Sequence, residues 1–308
     1  MFSKHRGEFY LVLGALLFSF NGVIITLVLD HMTAYRLGQV RAIGSFLLLF
    51  TVFYIKARKS LAATKREVPT LLLYGVFGFA MVQLGYLISI GRNVPLGLVL
   101  IIEFTAPIWI VLWIKFVYKK DVARNMWLGI AASLIGLSLV AKVWDGLSFD
   151  FIGIMGAVGS SIMLAFYFLM GERQGAKRSP EAITVWGMGG AALFWLFALP
   201  VWNFPFSIFT EQINMQGALD AYQLPGWALI AWIIIPGTMF PYLLVLNGLH
   251  ILDASKASVI GMLEPVIGGL FAWIWLSQSW TPIQLLGAVA VLFGIYVADK
   301  TKLAAVVK

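Results

Sequence analysis

The feature that most constrains this chain is a series of long apolar runs without a charge. Phe9 to Leu29 carries none, and neither does Leu71 to Gly91. A helix crossing the ~30 Å hydrocarbon core of a bilayer takes about 20 such residues, and a helix satisfies its own backbone there. Ten segments of that kind can be drawn, at 9–29, 37–55, 69–91, 96–117, 126–143, 151–171, 182–201, 226–248, 255–276 and 281–298. They leave little of the 308 residues for a soluble domain. Composition agrees: 12% of residues are charged, against about 25% in an ordinary soluble domain. The expected fold class is an all-α polytopic membrane protein of ten transmembrane helices.

Charge sets the expected orientation. With the N-terminus inside, 18 of the 22 Lys and Arg residues fall on inner segments, among them Lys4, Arg6, Lys56, Arg58, Lys302 and Lys308. Only Arg36, Arg92 and Lys142 fall outside, and Arg41 lies within helix 2. Such asymmetry is the positive-inside pattern. It places both termini in the cytoplasm and the chain in the cytoplasmic (inner) membrane. The net charge of +8 is thereby explained by topology, and no nucleic acid is expected as a partner. The first apolar segment, at ~21 residues, is longer than a signal-peptide core and lacks a small-x-small cleavage site, so it reads as a retained helix. The longest outer connection, 202–225, reads as a plain linker.

The chain contains no cysteine, which excludes thiolate metal sites, disulfides and cysteine nucleophiles. Its three histidines, His5, His31 and His250, fall in tails or loops. No metal or cofactor is expected.

An internal repeat is visible. A shift of 158 residues carries Pro107 onto Pro265, Gly129 onto Gly287, Ala132 onto Ala290 and Gly136 onto Gly294. A shift of 142 carries Phe9 onto Phe151, Gly14 onto Gly156, Ala15 onto Ala157 and Ser19 onto Ser161. The expected repeats are 1–145 and 146–308. Five spans per half is an odd number, so the second half inserts upside down, the 5+5 inverted plan of many secondary transporters. The small residues Gly129, Ala132, Gly136, Gly287, Ala290 and Gly294 give helices 5 and 10 faces for close approach. Such a face serves a homodimer or the internal packing of 5 against 10 in a monomer, and internal packing is the preferred reading.

Ionisable groups within spans are costly and informative. Glu103 lies about seven residues into helix 4, roughly 10 Å from its outer end, and Glu264 about nine residues into helix 9, roughly 14 Å from its inner end. Each neighbours a proline, Pro107 or Pro265, which removes a backbone donor and loosens the helix beside the carboxylate. A carboxylate exposed alternately to either side carries a proton or binds a substrate ammonium; the structural alternative is a protonated glutamate bonded to a neighbouring helix. Arg41, roughly 6 Å into helix 2, suits a pair with Glu103, a substrate carboxylate or snorkelling to the outer interface. Asn21, Gln83, Tyr86, Ser161, Tyr242 and Asn247 supply further polar groups on helices 1, 3, 6 and 8. Their absence from helices 5 and 10 marks those two as scaffold. Pro236, Gly237 and Pro241 predict a broken segment in helix 8. Trp127, Trp144, Trp202, Trp227 and Trp280 fall near span ends, as interfacial belts do. Trp109 and Trp113 suit lipid contact better than stacking on a substrate.

Several stretches together resemble the EamA type of drug/metabolite transporter over nearly the whole chain: VRAIGSFLLL in helix 2, GLVLIIEFTAPIWIVLW in helix 4, WLGIAASLIGLSLV in helix 5 and ASVIGMLEPVIGGLFAWIWLSQSWTPIQLLGAVAVLFGIYVA in helices 9 and 10. The segment around Glu103, Phe104, Thr105 and Pro107 is similar to the amino-acid exporters of that family, including the threonine/homoserine type. Arg41 falls at the family's usual helix 2 arginine. Two departures stand out: Phe18 where many members have tryptophan, and Ser277-Gln278 where helix 9 commonly ends on an acidic residue. The resemblance implies export of small metabolites, often amino acids or analogues, by alternating access. In the absence of a nucleotide-binding motif, the ion gradient, in particular protons, is the expected energy source. The rival readings are a channel, which calls for a continuous polar pore, a membrane enzyme, which calls for a catalytic set that the spans lack, and a non-transporting scaffold or receptor.

Overall fold

A computed structural model describes residues 5–92, 94, 96–142, 144, 150–277 and 280–300. Lys4, Lys302, Lys308, Gln278 and the repeat boundary at 145/146 lie outside the described residues. The helices are α1 (Arg6–Leu29), α2 (Ala34–Leu61), α3 (Val68–Gly91), α4 (in two pieces, Leu96–Glu103 and Ala106–Phe116) and α5 (Arg124–Val140). After them come α6 (Phe151–Gly175), α7 (Pro180–Ala198), α8 (Gly226–Leu249), α9 (Ala254–Leu276) and α10 (Pro282–Asp299). Among the described residues nine of these helices are long and apolar enough to cross a membrane, and α5 is a shorter apolar helix of 17 residues.

Local chemistry sets many of the helix starts. Thr33, Asp150, Ser179 and Asp253 each accept a backbone N–H of the first turn, and Thr281 with Gln284 forms a capping box ahead of α10. Pro180 and Pro282 occupy first-turn positions, where no backbone donor is needed. Beyond the expected end at residue 55, α2 continues to Leu61 through a kink at Ala57, carrying Lys56, Arg58 and Lys59 with it.

Packing follows a swap. α1 lies against α8 and α9, while α6 lies against α3 and α4; α2 pairs with α7, and α5 with α10. Each half therefore supplies the first helix of the other half's bundle. The α5–α10 seam brings backbone against backbone at several levels. A Cβ at Gly136 would stand 2.6 Å from the Gly287 carbonyl oxygen, and one at Gly129 the same distance from that of Gly294. Of the residues expected in the seam, Gly129, Gly136, Gly287 and Gly294 lie in it, while Ala132 and Ala290 do not. Positions 129, 133 and 136 share a face by steps of four and three, so Ser133 and Val291 occupy the centre of the seam, and Ala132 and Ala290 flank it half-buried. Ser133 donates to the Val291 carbonyl, so the scaffold pair is not free of polar contact. The opposite face of α10, with Leu285, Leu286, Val289, Leu292 and Phe293, is exposed, as a lipid-facing surface requires.

Among the described residues, and apart from the kink in α2, four helices are interrupted, and proline accounts for three. In α4, Pro107 cannot bond the Glu103 carbonyl, and the helix breaks at Phe104–Thr105. In α9, Pro265 stands in the same relation to Gly261, and the break falls at Met262. In α8, Pro236 and Pro241 bracket a π-helical stretch, Ile235–Met239, which meets the expectation of a broken segment. The fourth, a π-helical stretch at Val76–Met81 in α3, has no proline and no sequence signal. Adding 158 carries the α3 stretch onto 234–239 and the α4 break onto 262–263, the offset already seen in the sequence. Carbonyls released by the interruptions are taken up by side chains: Asn21 Nδ2 donates to Gly237 O at 2.9 Å, the acceptor that Pro241 cannot use, and Thr238 Oγ1 donates to Ile233 O at 2.7 Å.

The connection between α7 and α8 is not the plain linker expected. It folds into short helical turns and an antiparallel ribbon of β1 (Gln212–Asn214) and β2 (Gln223–Pro225). Ile208, Ile213 and Met215 are buried against α1, α2 and α8. Trp275 of α9 donates to the Met215 carbonyl at 2.9 Å, and His31 meets Glu211 at 2.9 Å. Alternating apolar residues in the segment found a surface to cover, which a spacing argument alone does not reveal.

At the end of the bundle rich in Lys and Arg, Glu67 accepts from the Thr64 amide at 2.9 Å and its hydroxyl at 2.7 Å, and pairs with Arg178 at 2.9 Å. These bonds, those from Thr64 foremost, draw its carboxyl down to about 2.

Three outcomes follow from this architecture. Gly136→Val forces α5 and α10 apart and costs roughly 1–3 kcal/mol, read as a lower unfolding midpoint in detergent; Leu286→Ala on the lipid face leaves it unchanged. Asn21→Ala removes the side-chain donor to Gly237 O and costs about 1–2 kcal/mol in the same assay. The lowered Glu67 value makes its contribution present above the ordinary carboxylate range, and lost as pH falls from about 4 through the folded value. Glu67→Gln abolishes that acid-side increment, measurable as the pH dependence of the midpoint below pH about 4.

Candidate functional site

Polar side chains converge where the helices are interrupted. Glu103 ends the first piece of α4, and Glu264 lies in the first turn of the second piece of α9. Arg41 on α2 points inward and donates through Nε to Thr238 Oγ1 on α8 at 2.9 Å. It does not snorkel, and the carboxylate within its electrostatic reach is Glu264, together with the phenols of Tyr86 and Tyr242. Glu103 and Glu264 interact through space with each other, and both with Tyr86 and Tyr242. All five side chains are set deep among helices and keep part of their surface accessible.

Around this core the walls are aromatic. Phe79, turned by the π stretch of α3, lies 4.6 Å from the ring of Tyr242, and Phe18 of α1 packs edge-on to the same ring at 5.1 Å. Tyr74 and Tyr167 extend the cluster behind Phe79. Gln83 bonds the Tyr242 side chain, and its Oε1 is left without a partner among the described residues, as is Asn21 Oδ1.

Hydroxyls tie the breaks to α1 and α6. Ser160 Oγ lies 2.8 Å from Glu103 Oε1 and 2.8 Å from the Val82 carbonyl. Ser161 Oγ meets Thr105 Oγ1 at 2.8 Å, at the α4 break, and Ser19 of α1 donates to the Glu264 carbonyl at 2.8 Å, beside the α9 break. Ser19 and Ser161 are related by the 142 offset, so each half's first helix attends the other half's broken helix.

The structure thus brings Glu103, Glu264, Arg41, Tyr86, Tyr242 and Gln83 together, with Asn21 and Ser161 at the adjoining breaks. Asn247 does not join them; its amide donates back to the Leu243 carbonyl of its own helix at 2.7 Å. Trp109, expected at the lipid face, sends its indole N–H to Ser161 Oγ at 3.1 Å and is 38% exposed, so its polar edge belongs to the bundle. Sequence reasoning missed Ser160, Thr238 and Phe79, and named Thr105 only as part of the segment shared with the family. The doublet Ser160-Ser161 in an apolar helix, and Thr238 beside Pro236-Gly237, were the available signals.

Chemically, Glu264 lies within electrostatic reach of both the Arg41 guanidinium and the Glu103 carboxylate, deep among helices. One negative charge has its partner in Arg41; a second calls for a proton or a cationic group from outside. Among the described residues no group of three or more His, Cys, Asp or Glu gathers as a metal would require.

With this geometry in hand, likeness to known proteins becomes informative. A crystal structure of a protein superposes with a TM-score of 0.76 over 95% of this chain and 96% of its own, at 14% identity, which speaks to the fold. The threonine/homoserine exporter RhtA of Escherichia coli (strain K12) is 29% identical over 269 residues, covering 84% of this chain and 78% of its own. The uncharacterized transporter YdfC of Bacillus subtilis (strain 168) is 24% identical over 267 residues, covering 86% and 80%. The profile of the EamA-like transporter family matches residues 5–142 and again 151–298. The family is one of multi-pass membrane transporters, and the chain belongs to it: it is a member of the EamA-like transporter family.

Proposed function

We propose that the chain is a proton-coupled secondary transporter that exports small metabolites of the amino-acid type by alternating access. Its repeats, 1–145 and 146–308, form a ten-helix 5+5 inverted pair with both termini in the cytoplasm. The observation that carries this reading is the meeting of Glu103, Glu264 and Arg41 between interrupted helices. A zwitterion presents a carboxylate to a guanidinium and an ammonium to a carboxylate, which suits a site holding both. The surplus carboxylate suits a proton that is taken up or released as the site changes sides. The swapped packing, and the recurrence of the α3 and α4 interruptions in α8 and α9, support two halves that rock about this centre. The paired α5 and α10 act as scaffold. The likeness to RhtA makes threonine and homoserine the first compounds to try.

The test is transport in proteoliposomes with an imposed proton gradient, beginning with threonine and homoserine and extending to a metabolite panel. Glu103→Gln and Glu264→Gln each lower the initial rate by roughly tenfold or more, about 1.4 kcal/mol. If neither changes the flux of any transported compound, the site assignment is lost. Concentrative transport that survives collapse of the proton gradient removes proton coupling.

A further inference from the structure

Ser160 occupies a position where hydrogen bonding cannot be satisfied in both charge states of its neighbour. It is fully buried on α6, beside the close approach of Gly85 on α3 to Gly156. Its Oγ stands 2.8 Å from the Val82 carbonyl, where the π stretch of α3 returns to α-helix, and 2.8 Å from Glu103 Oε1. A serine hydroxyl has one proton to give. With Glu103 ionised, both neighbours are acceptors and one contact lacks a hydrogen. With Glu103 protonated the chain closes: the carboxyl donates to Ser160 Oγ, and Ser160 donates to Val82 O.

We propose that Ser160 is a positioning residue that links the proton on Glu103 to the π stretch of α3. The proposal rests on the proton-coupled reading given above. When the proton leaves Glu103 for water on the open side, the Ser160 O–H rotates to the carboxylate, and the Val82 carbonyl loses that donor. The α3 turn at the π junction is then less tied to α6, at the helix that carries Gln83 and Tyr86 into the site. The titratable groups facing Glu103 are Tyr86 from α3, Tyr242 from α8 and Glu264 from α9, with Arg41 of α2 facing Glu264 and Tyr86. Ser161, one residue on, is engaged with Thr105 and Trp109, so the two serines divide their duties.

The test uses the full chain in lipid nanodiscs and needs no substrate, only a change of pH. Infrared difference spectra follow the Glu103 carboxyl band, assigned by its loss in Glu103→Gln. Amide hydrogen exchange, corrected for its intrinsic pH dependence, follows residues 76–89. In the wild type, exchange in this segment rises a few-fold to about tenfold as Glu103 deprotonates, as the net worth of one hydrogen bond implies. Ser160→Ala makes the exchange high and flat with pH and moves the Glu103 band to weaker hydrogen bonding. Ser160→Cys, close in size and a weak donor, restores part of the pH step. Ser89→Ala, which removes a different α3–α6 bond (to the Gly153 carbonyl, 2.7 Å), raises exchange at every pH and keeps the step. The proposal falls if Ser160→Ala retains the wild-type step, if the Glu103 band does not titrate, or if Ser89→Ala also flattens the response. Proton-driven transport is measured separately on Glu103→Gln, so failure of the link and failure of the transport reading are told apart.

Discussion

Within a bilayer every backbone donor and acceptor must find its partner inside the protein, and the rest of this structure depends on how that demand is met where helices are interrupted. Four of them, α3, α4, α8 and α9, break or widen near mid-span. Three of the interruptions draw a polar side chain from another helix onto their backbone, with Asn21 to Gly237 O and Ser45 to Ile234 O in α8, Ser160 to Val82 O in α3 and Ser19 to Glu264 O in α9, while at the α4 break Ser161 meets the Thr105 hydroxyl. The groups that repair the backbone are thereby drawn to the same depth as the carboxylates and the guanidinium. Site and fold are consequently one arrangement. Removing a repair disturbs both.

The swapped packing explains how repair comes from the right place. Because α1 lies on α8 and α9 and α6 on α3 and α4, a polar residue on either first helix faces the broken helix of the other half. The α5–α10 seam works by different physics. Lipid offers no hydrophobic drive between helices, so close backbone approach at Gly129, Gly136, Gly287 and Gly294 supplies dispersion contact instead. One region accommodates polar groups and irregular backbone, while the other stays straight and dense.

The folded connection between α7 and α8 adds a third region. Its buried Ile208, Ile213 and Met215 rest on α1, α2 and α8, and its ribbon meets α9 at Trp275. It thus touches helices of both halves, while Trp202 and Tyr222 remain exposed on it.

Much was legible in the sequence because it is local. Apolar run length set the spans, and Pro107, Pro265 and Pro236 marked three of the four interruptions. The 158 offset survives as a recurrence of those interruptions. The family, and Glu103 and Glu264 as the costly groups, could likewise be read from single segments. Tertiary structure alone decided partners. Arg41 had three plausible placements, and only the arrival of α8 gave it Thr238. Ser133 and Val291 displaced Ala132 and Ala290 from the seam because contact depends on which face the facing helix meets. The α3 π stretch carries no proline, and Asn247 turned back to its own helix although its type suited the site. Hydropathy and spacing are properties of one segment in one dimension; a hydrogen bond between helices depends on the rotation and depth of both, and these are set only when the whole bundle packs.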